Sequence, residues 1–220
     1  MNRIIEKVTA FVTRRTEQGT DLLLFEHPHT GIQIPAGTVE AGETPRQAVL
    51  REVAEETGLA RLSVHCYAGS VEDQLPAGQR IVLAPTKVYA RPDLESFDWA
   101  YLRPGIQVAV DRQAVGFAQV TYEEPDRVPD PQYVTMRITG WVPDSVLTDI
   151  RRRHFFHLEF AGASPARWTV RSDSHLFTLF WAPLADLPPI VPPQDMWLAV
   201  LVREFEVVYR SEAREGGKLW

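Results

Sequence analysis

Three features of this 220-residue chain predict an α+β fold that includes a stretch of many short strands. Lys7 to Arg14 alternates Val8, Ala10 and Val12 with Thr9, Phe11 and Thr13, the period of a strand. Residues 44–58 carry the start and stop signals of one sharply bounded helix. From about residue 76 to 150 the pattern changes to short apolar runs divided by Pro, Gly and Asp, which predicts many short strands.

In chain order, Thr16-Glu17-Gln18-Gly19 turns the first strand, and Asp21 to Glu26 returns as a more buried one. His27-Pro28-His29-Thr30-Gly31 is read as a loop, in which His27 and His29 are weighed as ligand contacts against a solvated role. Ile32 to Pro35 leads into the helix region. There Thr44 is placed to cap the helix, Pro45 occupies its first position and Gln47 closes a capping box; Gly58 stops it in a left-handed conformation. A turn of 100° per residue sets Val49, Leu50 and Val53 on one stripe with Ala54 beside it. Glu52, Glu55 and Glu56 gather on another face, with Ala48 among them leaving room.

Those glutamates carry the chemistry. Glu55 and Glu56 fall in the last helical turn, where the dipole favours cations, so a divalent ion relieves both the dipole and the mutual repulsion. An all-oxygen donor set suits Mg2+ or Mn2+. Arg51 stands one turn before Glu55 and is placed to pair with it. An acidic helix face is by default only a solvated face. Here Gly37, Glu43, Arg51-Glu52, Val53, Glu55-Glu56, Gly58 and Leu59 together form a fixed spacing. Chance would produce it with a probability on the order of one in a billion per starting position.

That stretch, Gly37 to Leu59, is the complete Nudix box, and by it the chain resembles the Nudix hydrolases. The resemblance implies an α/β/α sandwich with a mixed sheet, and cleavage of the pyrophosphate bond of a nucleoside diphosphate linked to another group. It implies a metal site of Gly37 through its carbonyl with Glu52, Glu55 and Glu56, and a catalytic set of Glu52, Glu56, Glu43 and Arg51. Glu52 is the first choice for the base that takes the proton of the attacking water, and Glu43 the second, its alternative role being a salt bridge to Arg51. The approach to the box, Ile34-Pro35-Ala36-Gly37, departs from the family's usual aromatic residue and Pro-Gly-Gly. A ligand from outside the box is sought at Glu159 and Asp173. Arg151-Arg152-Arg153 is weighed as a phosphate contact against a run paired with acidic neighbours. Isoprenyl diphosphate isomerases share the fold but need a reactive Cys, and nothing around Cys66 has that character.

Beyond the box, Leu62 to Ala68 reads as a strand, followed by candidates at Ile81-Val82-Leu83, Lys87-Val88-Tyr89, Ile106 to Val110, Phe117 to Tyr122 and Tyr133 to Ile138. The segment GFAQVTYEE, with GWVP following at Gly140, resembles bacterial SH3-like modules. Arg153 to Phe160, Arg167 to Val170 and His175 to Trp181 then resume the Nudix pattern of strands. The expected organisation is a split Nudix domain, residues 1–75 and 151–220, around an SH3-like β domain at 76–150. Gln194 to Arg214 places Met196, Trp197, Val200, Leu201, Phe205 and Val208 at helical spacing and is expected as a second covering helix, with Glu215 to Trp220 a tail.

A net charge of −6 gives no basic field for long nucleic acid, and no apolar run is long enough to cross a bilayer. One cysteine, Cys66, excludes an internal disulfide and fits a reducing, cytoplasmic setting in which it is expected to be buried. The expected partner is a nucleotide-type small molecule, with the insert offering a homodimer or protein contact. The competing reading is a non-catalytic, nucleotide-sensing module that uses the insert to reach a partner.

Overall fold

The computed structural model describes residues 3–128, 130–172 and 175–203. Fifteen strands, two α-helices and one short 3-10 helix, Asp144–Val146, are defined there. The strands are β1 (Ile4–Thr16), β2 (Gly19–His27), β3 (Gly31–Gln33), β4 (Ala36–Thr38), β5 (Leu62–Gln74), β6 (Gln79–Val82), β7 (Thr86–Tyr89), β8 (Asp98–Leu102), β9 (Gln107–Ala114), β10 (Phe117–Pro125), β11 (Val134–Pro143), β12 (Leu147–Thr148), β13 (Ile150–Phe160), β14 (Arg167–Ser172) and β15 (His175–Pro183). Helix α1 is Pro45–Thr57, and α2 covers residues 194–203. The part of the second helix expected beyond residue 203, and the tail, lie outside the described residues.

The strands form two sheets. The first is eight-stranded with the order β14-β15-β2-β1-β13-β5; β3 pairs with β2 and β4 with β1. Hairpin partners run antiparallel, as β1 and β2 do through Thr13 opposite Leu22. β1 and β13 run in the same direction: Phe11 stacks on Phe155, and Thr13 bonds His157 two residues further along both strands. The sheet is therefore mixed. The second sheet is seven-stranded with the order β12-β6-β9-β10-β11-β7-β8, and the GWVP segment forms the end of β11, paired with β10 and β7.

Contacts divide the chain into two compact units. One comprises Met1–Lys7, Thr38–Ala41 and Val71–Arg153; the other comprises Val8–Gly37, Gly42–Ser70 and His154–Trp220. In the latter, alternation along the strands sends successive residues to opposite faces. Phe11, Leu22, Leu24 and Phe155 pack with Ile190, which precedes α2, and with Leu201 and Trp197 of α2. The other face belongs to α1. Trp168 of β14 reaches the last turn of α1, and its ring lies against Trp181, which stacks on Phe160. The buried side of α1 is Ala48, Val49, Val53 and Thr57. In the first unit, Val82, Val88, Leu102, Val108, Ala118, Val120, Val142 and Leu147 form one core, and Ile5, Leu75 and Ile81 form a smaller one.

Several side chains differ from expectation. Ala54, placed beside the apolar stripe, is exposed, whereas Ala48 is fully buried. At 100° per residue Ala48 lies 100° from Val49 and 180° from Thr57, among Glu52, Glu55 and Glu56 as expected, so α1 is buried on that side as well as along the stripe of Val49, Val53 and Thr57. Cys66, expected to be buried, is half-buried on β5, which ends the sheet among the described residues. Met196 is exposed while its neighbours Trp197 and Leu198 pack on the core. β3, β4, β8 and β12 were not expected, and β5 and β13 each extend past their expected ends to Gln74 and back to Ile150.

Candidate active site

Local chemistry fixes α1 at both ends. The Thr44 backbone is extended (φ −85°, ψ 155°), and its hydroxyl accepts from the Gln47 N–H at 3.3 Å while the Gln47 side chain accepts from the Thr44 N–H at 2.9 Å. Pro45 at the first position costs nothing, since that N–H has no helical partner. At the other end Gly58 has φ 70°, which a side chain would oppose, and its N–H donates to Ala54 O at 2.9 Å. Trp168 adds its indole N–H to the Thr57 carbonyl at 2.8 Å. No basic residue lies in the last turn, so Glu55 and Glu56 face the negative end of the helix without local compensation on α1's own final turn.

Two carboxylates from successive turns of α1 reach the backbone of residues 36–37. Glu56 accepts the Ala36 N–H at 3.1 Å. Glu52 runs so close to Gly37 that a Cβ there would lie 1.9 Å from its carboxyl carbon and 2.0 Å from Oε1. Gly37 is thus required by packing: its missing side chain is the space that Glu52 occupies.

Arg51 organises the remaining acids. Its guanidinium makes a two-point contact with Glu43, Nε to Oε1 at 2.8 Å and Nη2 to Oε2 at 3.0 Å, the fork geometry that suits arginine and carboxylate. Nη1 lies 3.1 Å from Glu52 Oε1 and 3.1 Å from Glu55 Oε2. The Glu43 hydrogen bonds, with Glu52 adding its charge, hold the arginine's pKa above its ordinary value. Glu43 therefore stands in the salt bridge weighed for it. Glu55 is more exposed (56%) than Glu52 (16%) and forms the solvent side of the group.

Among the described residues, no three His, Cys, Asp or Glu side chains are set as they stand to hold an ion. The donor chemistry nevertheless fits a hard divalent cation. Glu52 and Glu56 present carboxylate oxygens at one stretch of backbone, Glu55 stands beside them, and the glycine leaves that backbone open to close approach.

Candidates outside the box lie elsewhere. Glu159 shares its face of β13 with Phe155, the α2 side, and pairs with His65 at 3.8 Å, so it does not join α1. Asp173 lies outside the described residues. Arg151 makes a two-point contact with Asp73 at 3.0 and 2.6 Å, and Arg152 bonds Glu72 at 2.7 Å and Glu6 at 3.5 Å. The basic run thus takes its acid-paired alternative, with Arg153 half-buried and its pKa lowered to about 9 by burial and by Arg151. His27 and His29 meet a third imidazole that sequence reading did not associate with them. The rings of His27 and His175 are 4.9 Å apart, and that of His29 lies 5.9 Å and 5.7 Å from the two. Only the pairing of β2 with β15 brings these together, and nothing local in the sequence signals it.

A family model described as NUDIX domain matches residues 5–95. A Nudix domain is thereby supported over these residues. The match includes the whole Nudix box and continues past residue 75, where the first Nudix segment was expected to end. No curated protein matches the chain. Solved structures with similarity include the NUDIX domain of Shewanella oneidensis NrtR complexed with ADP ribose, at 12% identity, TM-score 0.47, and coverage of 93% of this chain and 90% of that one. The C. elegans Ap4A hydrolase is similar at 13% identity and TM-score 0.45, covering 94% and 99%. A binary complex of a C. elegans Ap4A hydrolase gives 13% and 0.46, covering 94% and 98%. Among the described residues, no helix is long and apolar enough to cross a membrane.

Proposed function

We propose that this chain is a metal-dependent Nudix hydrolase that cleaves the phosphoanhydride of a nucleoside diphosphate linked to another group. The observation that carries the reading is the convergence of Glu52 and Glu56, from successive turns of α1, on the Ala36-Gly37 backbone. Glu52, Glu55, Glu56 and the Gly37 carbonyl would hold Mg2+ or Mn2+. When bound, such an ion neutralises diphosphate oxygens and lowers the pKa of an attacking water.

The chain's own residues do the rest. Glu52 accepts the proton of the water, its carboxylate oriented by Arg51 at 3.1 Å. The Ala36 N–H fixes one oxygen of Glu56 against the backbone beside Gly37. Glu43 holds the guanidinium at two points and so sets where Arg51 meets Glu52 and Glu55. The substrate group beyond the diphosphate is selected by residues outside the box.

The test is phosphate release from a panel of nucleoside diphosphate derivatives, with and without Mg2+ or Mn2+, for the intact chain and for Glu56→Gln. Cleavage should require the metal and fall by roughly a thousandfold or more in the variant, with circular dichroism unchanged. Equal binding of one compound by both forms, with no cleavage by either, would instead identify a nucleotide sensor.

A further inference from the structure

β8 ends the seven-stranded sheet and leaves one backbone edge without a strand beside it among the described residues. Along it Leu102 is buried and Ala100 packs on the core, while Asp98 at its start is exposed. Trp99 (47% exposed) and Tyr101 (56%) point outward, and Phe97 (72%), just before the strand, adds a third exposed ring. Natural proteins guard such edges with charges or proline. The one charge on β8, Asp98, is engaged at 3.2 Å by Lys87 of the neighbouring strand, so it does not guard the edge.

We propose that this edge is a homodimer interface, in which β8 pairs antiparallel with β8 of a second copy. The sequence is self-complementary about Trp99. A twofold axis there sets Trp99 beside Trp99 and Phe97 beside Tyr101 twice, all on one face because strand side chains repeat every second residue. It also brings Glu95 of one copy against Arg103 of the other at both ends. Such twofold matching is what an isologous contact demands. The three rings offer on the order of 350 Å² per copy, against roughly 800 Å² per partner in a standard interface, so backbone pairing must supply much of the rest. The dimer is consequently concentration-dependent.

Sedimentation equilibrium of the full chain over a range of concentrations tests this. The intact protein should move from one to two chain masses as concentration rises. Trp99→Lys should remain at one mass. Glu95→Arg and Arg103→Glu should each weaken association at least about tenfold by opposing like charges, and the double variant should recover it. A monomeric intact chain, a dimer indifferent to Trp99→Lys, or a double variant no better than the single ones would each overturn the proposal. Circular dichroism and melting of every variant separate these results from misfolding.

Discussion

Gly37 has no side chain to lose, yet replacing it has a direct expected effect on the glutamate beside it. Its Cβ would fall within bonding distance of the Glu52 carboxyl carbon, so Gly37→Ala must displace Glu52 from the backbone it abuts. Metal-dependent turnover is expected to fall by about two orders of magnitude or more, while melting shows a far smaller change. Arg51→Lys removes the fork that holds Glu43 at two points and reaches Glu55 and Glu52. A lysine keeps the charge but cannot span the set, and turnover should drop with a loss of roughly 1 kcal/mol in denaturant stability. His27 has a pH signature. Its pKa is lowered from 6.5 to about 4 by burial, His175 and His29. Between those values the unfolded chain binds a proton that the folded chain refuses, so stability declines as pH falls from 6.5 to 4 and levels below. Partial exposure limits the effect to on the order of 1–2 kcal/mol, and His27→Gln should flatten this stretch of the stability profile.

At the level of elements, legibility followed the range of the forces involved. Helix α1 was readable to the residue because Thr44, Pro45, Gln47 and Gly58 act within one turn of themselves. Thr44→Ala should cost about 1 kcal/mol, lowering the melting temperature by a few degrees without moving the box carboxylates. The salt bridge of Glu43 with Arg51 was one of two roles weighed for Glu43 and is present, whereas the approach of Glu52 and Glu56 to residues 36–37 was not read from the sequence, because it depends on how the chain before α1 packs on the helix. β8 was missed because Trp99 and Tyr101 alternate with Ala100 and Leu102, so apolar side chains on both faces conceal the period of two. β12 has two residues and no pattern to read. The placement of Glu159 with His65 and the meeting of His27 with His175 depend on strand pairing across long stretches of chain, which composition and spacing do not encode.

For the molecule as a whole, the unit that contains residues 71–153 also takes in Met1–Lys7 and Thr38–Ala41. Ile5 sits there with Leu75 and Ile81, all nearly inaccessible. A shortened chain in which a brief linker replaces residues 78–148 loses Ile81 and exposes Ile5 and Leu75, each worth about 1.5–3 kcal/mol when buried. Its melting temperature should fall by roughly 10 °C, measurable by calorimetry alongside the phosphate-release assay. The indole of Trp168 is bonded to the carbonyl that closes α1 and lies 6.4 Å from the ring of Trp181. The end of the glutamate-bearing helix is therefore wired to a pair of neighbouring chromophores. Any shift of its last turn alters the polarity at one indole and the coupling between the two, giving the protein a built-in optical reporter that needs no label and no turnover.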